Sequence, residues 1–246
     1  MNASDFMVIA HRGASSYAPE NTLAAFDLAL HMGVQQIELD VHFSSDEHIV
    51  VIHDDTVDRT TNGSGAVAGK TLAELRALDA GSWFEAKFAG ARVPTFGEVL
   101  ERYKGRAHIH TEIKGRAGQL AQHTVDLIRE HGMGNQVTIT SFQKVRLEEV
   151  RAYALEFPTG WLVTEVSDQV IAQARELGLT QLCPRAPLVT PGLVRRLYDE
   201  GFVVRAWGVA DEALMRQVVE AGADGMTVDF PDKLLAHLQN HPRQRL

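Results

Sequence analysis

Short apolar runs alternate with amphipathic stretches along most of this chain. The first run, Phe6-Met7-Val8-Ile9-Ala10, is bounded by polar residues and reads as a buried strand. In the second half, "ARELGLTQLCP", "LYDEGFVVRAW" and "VEAGADGMTV" each pass from an amphipathic helix through a glycine into a short apolar strand. Their glycines, Gly178, Gly201 and Gly222, lie 23 and 21 residues apart and read as left-handed helix C-caps. The same phrase occurs as "LALHMGVQQIELD" and, more loosely, as "IREHGMGNQVTITS".

Repeated βα units of this length predict a parallel sheet, doubly wound or closed as a barrel. No Gly-rich dinucleotide or phosphate-loop fingerprint follows the first strand, where the chain reads "HRGASS". The expected fold is therefore a distorted TIM (β/α)8 barrel forming one domain over residues 1–246, with its active residues at strand C-termini. Residues 54 to about 93 break the rhythm with five glycines and one short helical pattern near Leu72–Leu78. They predict a loop-rich insertion after the third strand, with Trp83 and Phe84 as candidate anchors. Helix starts are expected at Asn21 or Thr22, at Thr95 with Glu98 as a capping box, and at Thr190 before Pro191.

Phe43 and Ile49 are too close in sequence for a helical crossover, so "IELDVHFSSDEHIVVIHDD" predicts a hairpin. A two-residue turn at Ser45-Asp46 would set Glu38 opposite His53 and put Glu38, Asp40 and His42 on one face. Strand ends also collect His11, Arg12, Glu112, Lys114, Ser141, Arg185 and Trp207. In a barrel these converge on one mouth. Carboxylates crowded on an interior face repel, and a hard cation such as Ca²⁺ or Mg²⁺ relieves the crowding. Glu38, Asp40 and Glu112 are the candidate ligands; no His-x-x-x-His or thiolate set argues for zinc.

The totals narrow the partners. Apolar residues make up 45% and charged residues 23%, as in an ordinary globular protein. A net charge of -8 offers no basic footprint for nucleic acid or an anionic membrane, so an anionic substrate needs positive charge supplied locally. No apolar run reaches the ~20 residues of a membrane span. The N-terminus has no basic n-region or long apolar stretch, and Cys183 is the single cysteine. A cytoplasmic protein with no stable membrane insertion is expected.

His11-Arg12-Gly13, Pro19-Glu20-Asn21-Thr22, Glu38-x-Asp40, His53-Asp54-Asp55, Arg59-Thr60, "DAGSWF", "VPTFGEVL", Glu112-Ile113-Lys114, Ser141-Phe142 and "GADGMTVDFPD" occur in this order. In this series the chain resembles the glycerophosphodiester phosphodiesterase family along almost its whole length. The resemblance implies a TIM barrel with a small insertion and metal-dependent hydrolysis of a small glycerophosphodiester to glycerol 3-phosphate and an alcohol. It further implies His11 and His53 as the acid/base pair, Glu38, Asp40 and Glu112 as metal ligands, and Arg12 and Lys114 as phosphate contacts. Which histidine gives the proton, and whether water or the glycerol 2-hydroxyl attacks, stay open.

Three departures fall near the pocket: Trp207-Gly208-Val209-Ala210 for Trp-Thr-Val-Asn, Val228-Asp229 for Thr-Asp, and His110 for asparagine. Trp207 is a candidate substrate contact, with packing as its plainer role. Gly13 is expected to leave room for substrate, and Pro19 to Thr22 to be mainly architecture. His108 and His110 alternate with Glu112 onto one face, where a purely structural role is the plainer reading and a supporting or extra-ligand role the less favoured one. The remaining histidines are expected in solvent, and Cys183 as a buried filler. A phosphodiesterase for lysophospholipids is the nearest rival reading. A non-catalytic barrel for a phosphorylated ligand is disfavoured by the presence of both histidines and all three carboxylates.

Overall fold

Eight parallel strands close on themselves in the computed structural model, which describes residues 6–115 and 118–241. In chain order the strands are β1 (Met7–Ala10), β2 (Gln36–Phe43), β3 (Ile49–Val51), β4 (His108–Ile113), β5 (Val137–Ser141), β6 (Thr159–Val163), β7 (Gln181–Pro184), β8 (Val203–Ala206) and β9 (Gly225–Val228). The sheet runs β1-β9-β8-β7-β6-β5-β4-β2, and β1 pairs with β2 through Ile9 and Gln36 to complete the barrel. β3 lies outside the ring as an antiparallel partner of β2. The fold is the expected TIM barrel, distorted at this hairpin.

The helices are α1 (Leu23–His31), α2 (Leu72–Ala77), α3 (Phe96–Tyr103), α4 (Leu120–Glu130), α5 (Lys144–Tyr153), α6 (Asp168–Glu176), α7 (Pro191–Asp199), α8 (Glu212–Glu220) and α9 (Pro231–Asn240). Strand alternation sorts the two faces of the ring. Ile37, Leu39 and Val41 of β2 join the apolar layer under the helices, while Glu38 and Asp40 take the other face. The helix starts follow from side-chain capping. Thr22 accepts from the Ala25 amide, Thr190 from Leu193, and Thr95 and Glu98 form a reciprocal capping box. Gly178, Gly201 and Gly222 take φ of 63°, 87° and 88°, the left-handed closures read from the glycine spacing.

The hairpin register differs by one residue from the expected one. Val41 faces Val51 and Phe43 faces Ile49, because the turn holds three residues, Ser45 to Glu47, not two. Glu47 adopts φ 60°, and Ser44 Oγ accepts from the His48 amide, which together make room for the extra residue. Glu38 therefore does not stand opposite His53, which lies past the end of β3 in a loop.

The insertion has its own small core. Val57, Val67, Leu75, Ala80 and Val93 pack with Val50 and Ile52 at the hairpin. Trp83, 39% exposed, donates from Nε1 to the Ala80 carbonyl and meets Phe84 edge-on, and Phe84 meets Phe88 in the same way. Asp79 ties the loop by accepting from the amides of Gly81, Ser82 and Gly90, and these bonds hold its carboxyl well below the usual carboxylate range. At Gly81 a Cβ would stand 1.9 Å from the Phe88 carbonyl oxygen. Gly81→Ala is accordingly expected to cost about 1–3 kcal/mol, read as a lower urea midpoint. An unchanged midpoint would mean that the Phe88 segment moves aside freely.

Candidate active site

Register brings the carboxylates together. β2 and β4 pair in parallel with Asp40 beside Glu112, and strand alternation puts Glu38 on the same face. One oxygen from each of Glu38, Asp40 and Glu112 lies within 4.8 Å of the others, and all three residues are buried. Burial and then the Asp40 charge push Glu112 up to about 8, and raise Glu38 for the same two reasons. Burial also works against the charge on Asp40, but Arg12 and Lys114 outweigh it and hold Asp40 below its ordinary value.

Cations surround the cluster. Lys114 Nζ lies 2.8 Å from Glu112 and 3.6 Å from Asp40. Arg12 Nε stands 3.4 Å from Asp40, and the Arg12 amide donates to Glu38. That amide is aimed by a left-handed backbone at Arg12, φ 54°, a conformation costing a non-glycine residue about 1–2 kcal/mol. Asp40 Oδ1 receives no hydrogen bond in its buried position. Three crowded carboxylates, two of them resisting ionisation, and an orphan oxygen are the donor chemistry a hard divalent cation satisfies. The residues fit such an ion.

Each candidate histidine has its own aspartate. His11, just past β1, donates from Nδ1 to Asp229 Oδ1 at 2.6 Å, and Ser15 Oγ donates to the same oxygen. His53 donates from Nδ1 to Asp54 Oδ1 at 2.6 Å. Since a carboxylate only accepts, Nδ1 carries the proton in both rings and a neutral ring keeps Nε2 as a free base. The two environments differ in sign. Burial opposes charge on His11, but the Asp229 bond and then Glu38 outweigh it, so its pKa lies above 6.5. Burial dominates at His53, and its pKa lies below 6.5.

The Asp54 dyad is braced through charges distant in sequence. Arg59 donates to both oxygens of Asp54 and to both of Glu20, and Glu20 also accepts from Arg12. A continuous ionic chain thus runs from His53 to Arg12 and the carboxylates. Asn21 joins it by donating from Nδ2 to Asp40 Oδ2 at 2.8 Å. The segment Pro19 to Thr22 is therefore more than architecture, the role expected of it. Only Thr22 caps α1; Glu20 and Asn21 hold site residues.

All eight sequence-derived site residues except Asp40 line one cavity of about 220 Å³, and Asp40 lies in the carboxylate cluster of its wall. Trp207 and Phe142 meet edge-to-face at 4.7 Å, Trp207 Nε1 donates to the Val163 carbonyl, and Lys114 Nζ sits 5.1 Å from the Phe142 ring centre. A larger cavity of about 880 Å³ between α7, α8 and α9 lacks these groups.

Other expectations need correction. Gly13 does not leave room for substrate: at φ 85°, a Cβ there would stand 2.6 Å from the Ala25 backbone, so the glycine serves the packing of α1. His42 is buried, not solvated, because its Nε2 holds the His53 carbonyl. His108 and His110 lie outside the carboxylate cluster, bonded to Thr138 and Gln36. Asp229, Asp54, Glu20, Arg59 and Asn21 were not singled out from the sequence as site residues. Acidic neighbours directly after His53 and at a strand end were the available signals for Asp54 and Asp229.

Residues 11–233 match the family model for glycerophosphoryl diester phosphodiesterases. A glycerophosphodiester phosphodiesterase of Caldanaerobacter subterraneus subsp. tengcongensis is 37% identical over 93% of this chain and 96% of its own. The crystal structure of one from Agrobacterium tumefaciens is 33% identical, with a TM-score of 0.84 over 93% of this chain and 98% of its own. An Oleispira antarctica phosphodiesterase, solved with the product sn-glycerol-3-phosphate, is 30% identical, with a TM-score of 0.89 over 94% of this chain and 96% of its own.

Proposed function

The chain belongs to the glycerophosphoryl diester phosphodiesterase family, and from that premise we propose how its residues carry out the reaction. It is an enzyme that hydrolyses glycerophosphodiesters to sn-glycerol 3-phosphate and an alcohol with a divalent metal. The observation that carries the mechanism is the pair of histidines, each tied to its own aspartate and displaced in opposite directions from the ordinary pKa. Such a displacement sorts an acid from a base.

His53, the more easily deprotonated ring, takes a proton from the attacking oxygen at Nε2. His11, kept protonated by Asp229, gives its Nε2 proton to the leaving alkoxide. Arg12 and Lys114 donate to the phosphoryl oxygens and orient phosphorus between the two rings. Glu38, Asp40 and Glu112 would hold Ca²⁺ or Mg²⁺, an assignment supported by their all-oxygen donor set. When bound, the cation supplies positive charge against that developing on the phosphoryl oxygens. Trp207 and Phe142 wall the substrate. A cytoplasmic location is proposed with this reading, in keeping with a buried Cys183 outside any disulfide. Among the described residues no helix is long and apolar enough to cross a membrane.

A coupled assay for sn-glycerol 3-phosphate release from glycerophosphocholine tests the activity. With Ca²⁺ or Mg²⁺ present, turnover should fall in the ordinary range of about 1–10³ s⁻¹. Release no faster than in buffer would overturn the reading. Faster turnover of lysophosphatidylcholine than of glycerophosphocholine would favour the lysophospholipid alternative.

A further inference from the structure

The insertion reaches back onto the active site through one side chain. Arg59 sits in a turn whose neighbours Val57, Thr60 and Thr61 are buried, Val57 within the insertion's own core. Thr61 Oγ1 donates to the Val57 carbonyl at 2.7 Å and accepts from the Gly63 amide, and Asn62 and Asp79 exchange hydrogen bonds. The turn is thus anchored without the Arg59 side chain, which crosses to Asp54 and to the loop between β1 and α1. Nε and Nη2 donate to Oδ2 and Oδ1 of Asp54 at 2.7 and 3.1 Å, and Nη1 and Nη2 donate to Oε2 and Oε1 of Glu20 at 2.7 and 2.8 Å. Both carboxylates are gripped by one planar group.

That grip fixes what Asp54 can do for His53. The Arg59 bonds are the largest influence on the Asp54 carboxyl and hold it well below the usual carboxylate range, so it stays an acceptor for the ring. With Asp54 accepting from Nδ1 at 2.6 Å, the ring proton is pinned there and Nε2 keeps its lone pair. Orientation is the second need. Asp54 follows His53 directly in a loop, where no strand or helix fixes its rotamer, and two bonds to a planar guanidinium supply the missing direction. Asp229, the partner of His11, is held differently, by the hydroxyl of Ser15.

We infer that Arg59 is a positioning residue: its fork on Asp54 and Glu20 holds the His53 ring in the orientation and tautomer that present Nε2 to the attacking oxygen. This rests on the phosphodiesterase reading of the same site. Arg59 does not itself line the cavity, so it acts through a neighbour. One route runs through Asp54 to His53, and the other through Glu20 to Arg12, the phosphate contact. The bonding favours the first. Without Arg59, Arg12 keeps Glu20 and Asp40 as partners, whereas among the described residues Asp54 is left with His53 alone. Loss of Arg59 should therefore act on proton transfer and leave substrate binding in place.

The test is a double-mutant cycle of Arg59→Met with His53→Ala, read on glycerophosphocholine turnover. Arg59→Met alone should lower kcat about 10- to 100-fold and leave KM within about threefold of native. In the His53→Ala background the same change should cost under about threefold, because no ring is left to hold. Arg59→Lys keeps the charge but not the fork, and should stay at least about fivefold below native kcat. A loss repeated in full in the His53→Ala background, a raised KM with kcat unchanged, or native kcat in the lysine variant would each overturn the assignment. The Arg59 side chain is 45% exposed and exposed ion pairs contribute little to stability, so Arg59→Met should melt close to the native protein. Should it not fold, the lysine variant is carried through the same cycle. If the native protein releases no sn-glycerol 3-phosphate, the phosphodiesterase reading fails and the role of Arg59 with it, whereas an active native protein with an additive cycle sinks the role of Arg59 alone.

Discussion

Replacing His53 by alanine should lower kcat on glycerophosphocholine by about 10²- to 10⁴-fold, the usual contribution of a positioned general base. His11→Ala should do the same. Neither ring is packed in the core: His53 sits in the loop after β3 and His11 just past β1, with side chains 28% and 34% exposed. Both variants should therefore melt close to the native protein, which separates lost chemistry from lost fold. The pH profile gives a sharper check. Activity needs His53 without its second proton, so it falls as pH drops through a value below 6.5. It also needs His11 protonated, so it falls as pH rises through a value above 6.5.

Asp229→Asn tests that assignment without touching either ring. The variant removes the anion that favours a charged His11, so the high-pH limb should move to lower pH while the low-pH limb stays in place. Movement of the low-pH limb instead would exchange the two roles. Solvent exposure does not weaken this logic, because the 2.6 Å bond acts directly on the titrating ring.

Local rules made much of this legible in advance. Glycines at fixed spacing end helices wherever they fall, and Thr95 with Glu98 caps α3 by contacts three residues apart. Barrel closure was not written in any one segment, but repeated βα units leave few other ways to bury their strands. That Glu38, Asp40 and Glu112 gather on one face followed from strand alternation and the pairing of β2 with β4. What was missed depends on contacts distant in sequence or on a single backbone angle. Glu47 in the left-handed region shifted the hairpin register by one residue, and nothing in the turn composition required it. Asp229 reaches His11 across 218 residues and Glu20 reaches Arg59 across 39, distances at which composition is silent.

Glu112→Gln should abolish the stabilisation of the protein by Ca²⁺ or Mg²⁺ without lowering its stability in EDTA. Glu112 is held up to about 8 by burial and by Asp40, so near neutral pH its carboxylate form is a burden on the cation-free fold. A neutral amide of the same shape removes that burden while Asp40 keeps its hydrogen bond from Asn21 and its ion pairs with Arg12 and Lys114. A cation reverses the balance by binding the ionised cluster. At a concentration about 100 times Kd it should stabilise the native protein by about 2.7 kcal/mol, or raise Tm by about 5–10 °C. In the variant the rise should disappear together with activity, and in the native protein EDTA should remove both reversibly. The melting measurement stands apart from catalysis. A full cation-induced shift in Glu112→Gln would remove Glu112 from the ligand set, and undiminished native activity in EDTA would remove the metal from the reaction. Separately, a variant whose Tm falls in EDTA would show that the Glu112–Lys114 pair at 2.8 Å outweighs the crowding of the three acids.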